Sequence, residues 1–510
     1  MSSRFKVVDL FAGPGGLAEG FSSVRAADGS RIFDVALSVE MEPNAFATLR
    51  LRSFFRQFDK APSEYYDYIA GRISKEEMMA AHPDEWKAAE KETMQLELGP
   101  ATRGDLDPVL EALRNASEPI VLIGGPPCQA YSIVGRNKNR SLAEYDPAKD
   151  KRHYLYKEYI RIIEKLQPTA FVMENVKGIL SSKVDKNEIF LRILEDLRAA
   201  GSDPDSYTLF PLVTGGKGVG AGFLIRCEDY GIPQCRHRVI VVGIRTDVAK
   251  ELEATLEFNG LVPAARQSTV SDVLEGMPKL RSGITPQRDD NDLSWRDAAT
   301  KGMEKAAEAC DGFGASFRQV SELLRSTAAK LADSAEIPER NSSRPCAVKD
   351  NMLASWFSDP MLDTLPNHGT RGHMPDDLAR YAFVAAFGQI FGRSPKSKEF
   401  PMGLAPDHKN WKSGDYGDRF RAQVWSRPST TVVSHISKDG HAFIHPDVSQ
   451  CRSLTVREAA RLQTFPDNYF FEGNGRTPQF TQVGNAVPPL MAKQIGEALL
   501  KVLGGRTGSE

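Results

Sequence analysis

A cysteine at position 128 stands behind two glycines and two prolines, in Gly124-Gly125-Pro126-Pro127-Cys128-Gln129-Ala130-Tyr131-Ser132. The apolar run Pro119-Ile120-Val121-Leu122-Ile123 precedes it and reads as a buried parallel strand. The thiol therefore falls just past the C-terminal end of a strand, the edge of an open α/β sheet where ligands and chemistry gather. Glycines permit a tight turn there, and prolines stiffen it. A thiol on so stiff a support suits nucleophilic attack, and a buried structural cysteine is the alternative that the stretch leaves open.

Other polar groups fall at strand ends. Thr169-Ala170-Phe171-Val172-Met173 reads as a second buried strand and ends in Glu174, either an acid tuned by apolar neighbours or a cap for the next helix. Arg236 and Arg238 are two residues apart at the start of the strand Arg238 to Ile244, so both can face one side. That pair suits a phosphate or a base oxygen, or belongs to an ordinary surface. The polar stretch 133–153 carries Arg136, Lys138, Arg140, Lys149, Lys151 and Arg152. It is either a lid that meets phosphate or a solvated loop.

The elements that must position these groups begin at the N-terminus. The strand Phe5 to Leu10 runs into Phe11-Ala12-Gly13-Pro14-Gly15-Gly16 and then a helix, as in nucleotide-binding α/β folds, although GxGxxG is not matched. The next strand, Phe33 to Val39, ends in Glu40, placed to accept the two hydroxyls of a ribose. Loop and acid together point to an adenosine-type cofactor. Asp105 is open between a cofactor contact and a helix N-cap. Leu155 to Leu166 and the last segment to Val502 have helical periodicity, and Thr455 with Glu458 forms a capping box.

The chain has 510 residues, 41% hydrophobic and 26% charged, with a net charge of −2. That length predicts two or more domains, and the balanced charge requires any nucleic-acid surface to be local. Six scattered cysteines form no CxxC pair, so neither a metal site nor a redox motif is expected, and a reducing cytoplasm is. No membrane span or signal peptide is expected. Residues 53–103 read as a helical, solvated insertion. Residues 250 to about 425 lose the strand–helix rhythm. Their basic residues (Arg393, Lys409, Arg419, Arg421, Arg427) interleave with Trp411, Tyr416 and Trp425, as in a nucleic-acid-reading module, with an irregular domain that merely packs on the first as the alternative. Residues 429–444, around Lys438-Asp439-Gly440, read as a hairpin.

Taken in order, DLFAGPGG, GGPPCQAYS, MENV, QCRHR, RSLTVREAARLQTFPD and QVGNAVPP resemble the prokaryotic-type C5-cytosine DNA methyltransferases. The resemblance spans positions 9 to 489. It implies a Rossmann-like α/β S-adenosylmethionine-dependent methyltransferase domain, discontinuous in sequence, with a smaller irregular, β-containing target-recognition domain. The implied divisions are 1–250 (catalytic), 251–477 (target recognition and hinge) and 478–510 (a returning helix). By the same resemblance Cys128 is the nucleophile, Glu174 engages cytosine N3, and Arg236 and Arg238 sit at the base pocket. Phe11, Gly13, Gly15, Gly16, Glu40, Asp105, Pro126 and Asn485 are the cofactor-binding set. The implied partner is double-stranded DNA, with a companion restriction endonuclease outside any stable complex and a monomer as the acting form. An RNA cytosine methyltransferase and a catalytically silent DNA-binding relative are the alternatives. The large region after residue 250 disfavours the first, and the intact motifs disfavour the second.

Overall fold

The computed structural model describes residues 4–127, 152–181, 183–184, 187–201, 203–214, 220–253, 260–286, 290–348, 351–406, 411 and 419–503. At its centre lies one eight-stranded sheet: β1 (Phe5–Leu10), β2 (Phe33–Glu40), β3 (Thr93–Gln95), β4 (Ile120–Gly124), β5 (Ala170–Val176), β6 (Tyr207–Phe210), β7 (Leu224–Arg226) and β8 (His237–Arg245). The spatial order is β3-β2-β1-β4-β5-β8-β6, with β7 beside the start of β8. Strands β1 to β5 run parallel, and β8 is antiparallel to its three neighbours.

Both faces of the sheet are buried, so its strands are apolar at successive positions rather than alternating. Val7, Val121, Ile123 and Val172 face one core, while Val8, Leu10, Leu122 and Met173 face the other. The second face is covered by α6 (Arg103–Asn115) and α7 (Arg152–Leu166). The first is covered by α1 (Gly16–Ser22) and by the last helix, α13 (Pro489–Leu503). α1 and α13 touch so closely that a Cβ on Gly20 would overlap the Pro489 carbonyl and the Ala492 side chain. The end of the chain thus completes the core that its beginning starts.

The insertion is helical, as its sequence predicts: the end of α2 (Pro43–Arg56), then α3 (Ser63–Ile69), α4 (Lys75–Ala81) and α5 (Pro83–Glu92). It is not merely solvated. Phe54, Tyr65, Met78 and Trp86 form its own core, Arg56 pairs with buried Glu92 at 2.5 Å, and β3 extends the main sheet.

The region after residue 250 differs from the sequence reading. It contains a three-helix bundle, α8 (Asp292–Asp311), α9 (Arg318–Ala332) and α10 (Pro375–Phe391), around Trp295, Leu324, Phe383 and Phe387. α10 is buried almost all round, with Tyr381 to Gly388 consecutively enclosed, and such a helix shows no amphipathic period. Trp411 packs on Phe400 and Trp425 on His445, each partly buried against one of this region's cores. Arg393 and Arg419 are ion-paired with Glu399 and Asp439, and Lys409 and Tyr416 lie outside the described residues. The expected hairpin at 429–444 is a 3-10 turn, Ser434–Ser437, joined to its surroundings by isolated bridges. Beyond this region follow α11 (Val456–Leu462), with the predicted Thr455/Glu458 capping box, and α12 (Arg476–Asn485). No described helix is long and apolar enough to cross a membrane.

If the α1–α13 contact holds the sheet face together, Gly20→Ala should destabilise the protein by at least the ~1–3 kcal/mol typical of overpacking. The denaturation midpoint measures this, and a wild-type midpoint would contradict the contact's importance.

Candidate active site

Strand register explains why the polar groups meet. Leu10 pairs with Val39 and with Gly124, and Gly124 pairs with Met173. The residues that follow, Phe11, Glu40, Gly125 and Glu174, therefore stand in one row at the sheet's C-terminal edge, Glu40 and Glu174 still within their strands. On β8, Ile240 lies opposite Glu174 and Arg238 opposite Val176, so Arg238 is the diagonal neighbour of Glu174 on the same face. Arg238 Nε stands 2.7 Å from Glu174 Oε1. The two are close but not aligned as a hydrogen bond, while Nη1 donates to the His237 carbonyl at 2.8 Å. Glu174 is thus within a strand beside a guanidinium, rather than capping a helix. A Cβ on Gly125 would stand 2.8 Å from Glu174 Oε2, so a side chain there would push the carboxylate out of its present position.

Along this row runs a cavity of about 360 Å³, reached by Phe11, Gly13, Glu40, Pro126, Glu174 and Asn485. The volume is that of a small-molecule site. Gly16 also lines it, and a Cβ there would overlap the Val487 carbonyl. Phe11 has φ 55°, a left-handed conformation that bulky residues avoid and that collects at binding sites. Glu40 Oε2 accepts from Gly13 N and Oε1 from Glu42 N, each at 2.8 Å. Burial raises its pKa, and those two N–H groups oppose the rise. A carboxylate offers about four lone-pair positions. Glu40 can therefore fix the glycine loop and still accept from ribose hydroxyls, so the residues fit an adenosine-type group.

Four expected residues lie outside the cavity lining: Arg238, which reaches it only through Glu174, and Gly15, Asp105 and Arg236. Gly15 is the N-cap of α1 at φ 99°, and a Cβ there would meet Leu49 Cδ1 and Tyr469 Oη at 3.0 Å each. Asp105 is exposed in the first turn of α6, whose N-cap is Thr102. Arg236 is fully buried. Its Nη1 donates to Val432 O at 2.7 Å, and its Nη2 to Gly484 O at 3.1 Å and Ala486 O at 2.7 Å. Burial pushes its pKa down to about 9, still well above neutral, so it is a cation whose two terminal nitrogens are held by carbonyls while its buried Nε has no hydrogen-bond partner. Cys128 and the basic stretch as far as Lys151 lie outside the described residues.

Some site residues carried little signal in the sequence. Asn175 Nδ2 donates to Pro126 O at 3.2 Å, which braces the turn leading to Cys128. Its place in MENV marked the position, but no signal in the sequence pointed to this bracing role. Leu96 and Leu98, after edge strand β3, line the cavity, and no chemical type distinguishes them. Gln234 is buried, donates to Leu462 O at 3.0 Å and accepts from Val432 N at 2.8 Å, extending the Arg236 clamp.

Arg236→Ala should take a charged donor from three buried carbonyls, of which Ala486 O keeps Gln463 Nε2 at 3.2 Å, and lower the unfolding free energy by about 3–5 kcal/mol. Arg238→Ala, which removes one backbone bond and a partly exposed ion pair, should cost less than half as much. Chemical denaturation measures both, and equal losses would contradict the division of roles.

Comparison with known proteins follows the same lines. The model of the C-5 cytosine-specific DNA methylase family matches residues 84–501. The type II methyltransferase M.Bpa9945I of Bacillus paralicheniformis is 32% identical over 98% of this chain and 99% of its own. The type II methyltransferase M.AgeI of Thalassovita gelatinovora is 25% identical over 97% of this chain and 99% of its own. The DNA (cytosine-5-)-methyltransferase M.ApeKI of Aeropyrum pernix is 29% identical over 75% of this chain and 81% of its own. The solved structure of a prophage-encoded DNA modification methyltransferase of E. coli is 19% identical, covers 98% of this chain and 99% of its own with a TM-score of 0.50, and shares the fold. With a family match over most of the sequence and a relative 32% identical along nearly all of it, this chain belongs to the C-5 cytosine-specific DNA methylase family.

Proposed function

We propose that the protein transfers a methyl group from S-adenosylmethionine to C5 of a cytosine turned out of duplex DNA, and that it is the modification enzyme of a restriction–modification system. The observation that carries the reading is the Glu174–Arg238 pair, standing on the same row of strand ends as Phe11 and Glu40. In this reading residues 251–477 recognise the target and form the hinge. The enzyme acts as a monomer in the cytoplasm, with its companion endonuclease separate.

C5 of cytosine is a weak nucleophile. Addition of the Cys128 thiolate to C6 forms a C–S bond and moves the ring's π pair toward C5, which makes C5 enamine-like. Negative charge then gathers on N3 and O2. Glu174 holds a proton at N3, and the Arg238 guanidinium faces O2 with a fixed positive charge. S-adenosylmethionine, when bound, supplies a methyl group on a positively charged sulfur. Glu40 binds its ribose, and Phe11 and Asn485 bound its cavity. Once C5 carries the methyl group, a water takes the C5 proton, that C–H electron pair restores the C5=C6 double bond, and the C–S bond breaks by β-elimination to return the Cys128 thiolate. None of this is possible within a stacked duplex, which is why the base must leave it.

Cys128→Ala should abolish methyl transfer while cofactor binding is retained, and transfer by this variant would overturn the nucleophile assignment. Glu174→Gln should lower kcat by about 10²–10⁴-fold with little change in cofactor affinity; a wild-type kcat would remove Glu174 from the chemistry. Duplex DNA with 5-fluorocytosine at the target should form a denaturation-resistant adduct, because fluorine at C5 blocks elimination. Trapping of RNA alone would contradict the substrate.

A further inference from the structure

A second cavity, of about 320 Å³, lies away from the row of strand ends and is lined by Ile284, Thr285, Arg340, Asn341, Gly372 and Arg476. It sits where two short parallel strands, β9 (Gly283–Ile284) and β10 (Gly372–His373), meet the first residue of α12. Three glycines make room for its polar groups. A Cβ on Gly283 would stand 2.7 Å from Arg340 Cζ, and one on Gly372 would stand 2.8 Å from Thr285 Oγ1. At Gly369 a Cβ would collide with Asn341 Oδ1 and lie 3.5 Å from Arg476 Nη2. Side chains at these positions would fill the space the guanidinium, hydroxyl and amide now occupy.

The charges do not balance. Arg340 Nη1 lies 2.7 Å from Asp290 Oδ2, but Asp290 is shared with Arg281 at 2.8 Å. Arg281 also pairs with Asp292 at 2.8 Å. Arg340 Nη2 donates to Thr370 O at 3.3 Å, and its Nε is buried without a hydrogen-bond partner. Arg476 makes no ion pair or hydrogen bond with a described residue, and the charges that act on it, Arg340 and Arg371, are both cations. Arg371, over the Phe480 ring at 4.4 Å, spends its donors on the Lys438 and Ile436 carbonyls. Arg476 is also the first residue of a ten-residue helix whose N-cap, Gly475, offers no side-chain bond. A helix start attracts anions and repels cations. A cation held there, facing a second cation, is stable when an anion sits between them.

We propose that Arg340 and Arg476, with the Thr285 hydroxyl and the Asn341 amide, form a phosphate site that takes one backbone phosphate of the bound duplex. The assignment to DNA rests on the function proposed above. Guanidinium forks match phosphate oxygens, and the hydroxyl and amide add donors. Such a contact fixes register and carries no sequence information. At its far end α12 presents Asn485 to the first cavity, about 15 Å away along the helix. The phosphate would therefore anchor one end of the element that closes the cofactor cavity at the other.

The test is the salt dependence of duplex binding by the full-length protein, as wild type, Arg476→Ala and Arg476→Lys. Arg476 holds no other described group, so its loss should not unfold the chain. Arg476→Ala should reduce the slope of log K against log[salt] by about 0.9, the value for one duplex phosphate, and weaken binding to unrelated duplexes equally. Arg476→Lys should keep most of the slope, and cofactor binding should be the same in all three. An unchanged slope in Arg476→Ala, with no difference between wild type and variant in stabilisation by inorganic phosphate, overturns the site. If the slope is unchanged but inorganic phosphate stabilises wild type against heat and not Arg476→Ala, the anion is free phosphate, and the DNA assignment is wrong. Duplex binding and methyl transfer by the wild type, measured alongside, report separately on the proposed function.

Discussion

The buried guanidinium of Arg236 is the contact on which the active region depends. It joins three carbonyls from two distant stretches, Val432 on one side and Gly484 and Ala486 on the other, to the start of β8. Two residues on, the same strand presents Arg238 to Glu174. One strand start thus fixes both the end of α12, where Asn485 borders the first cavity, and the charged pair whose Glu174 lines the same cavity. Hydrogen bonds to a charged group contribute about 1.5–3 kcal/mol each, so the clamp is strong while all three are made and costly when they are not. The close fit of Gly16 against Val487 continues the closure on the other side.

The same device recurs wherever the backbone is irregular. Outside helices and sheets each buried carbonyl needs its own donor, and an arginine carries five. Arg457, fully buried, donates to Pro366, Pro466 and Tyr469 carbonyls. Arg461 joins Val273 and Cys346 carbonyls while pairing with Asp467, and Arg452 reaches the Leu280 carbonyl while pairing with Glu458. These arginines flank or belong to α11, a short helix with every residue buried. Burial without regular secondary structure is possible here because these side chains take over the role of a ladder. Glu19 and Arg52, paired at 2.6 Å between α1 and α2, do the equivalent work beneath the glycine loop.

What the sequence disclosed follows from this. Apolar runs such as Ile120 to Ile123 and Ala170 to Met173 announce buried strands, and residues just beyond them must share an edge. Glu40, Glu174 and the Gly125 turn were therefore legible as neighbours before any coordinates. Arg236 was not, because type and spacing do not distinguish a guanidinium that binds a ligand from one that binds carbonyls 196 and 250 positions away. α10 was hidden for a different reason: enclosed on all sides, it lacks the polar face that marks a helix. Val432 resembled part of a strand, but Gln234 and Arg236 take its N–H and carbonyl, so no ladder can form there.

The central claim is that this chain marks cytosine at C5 within a defined duplex sequence. Bisulfite sequencing of DNA from cells that express the protein, against cells that do not, tests it most directly. The account predicts unconverted cytosines at one recurring sequence and only in the expressing cells. Complete conversion, or unconverted cytosines scattered without a common sequence, would contradict it.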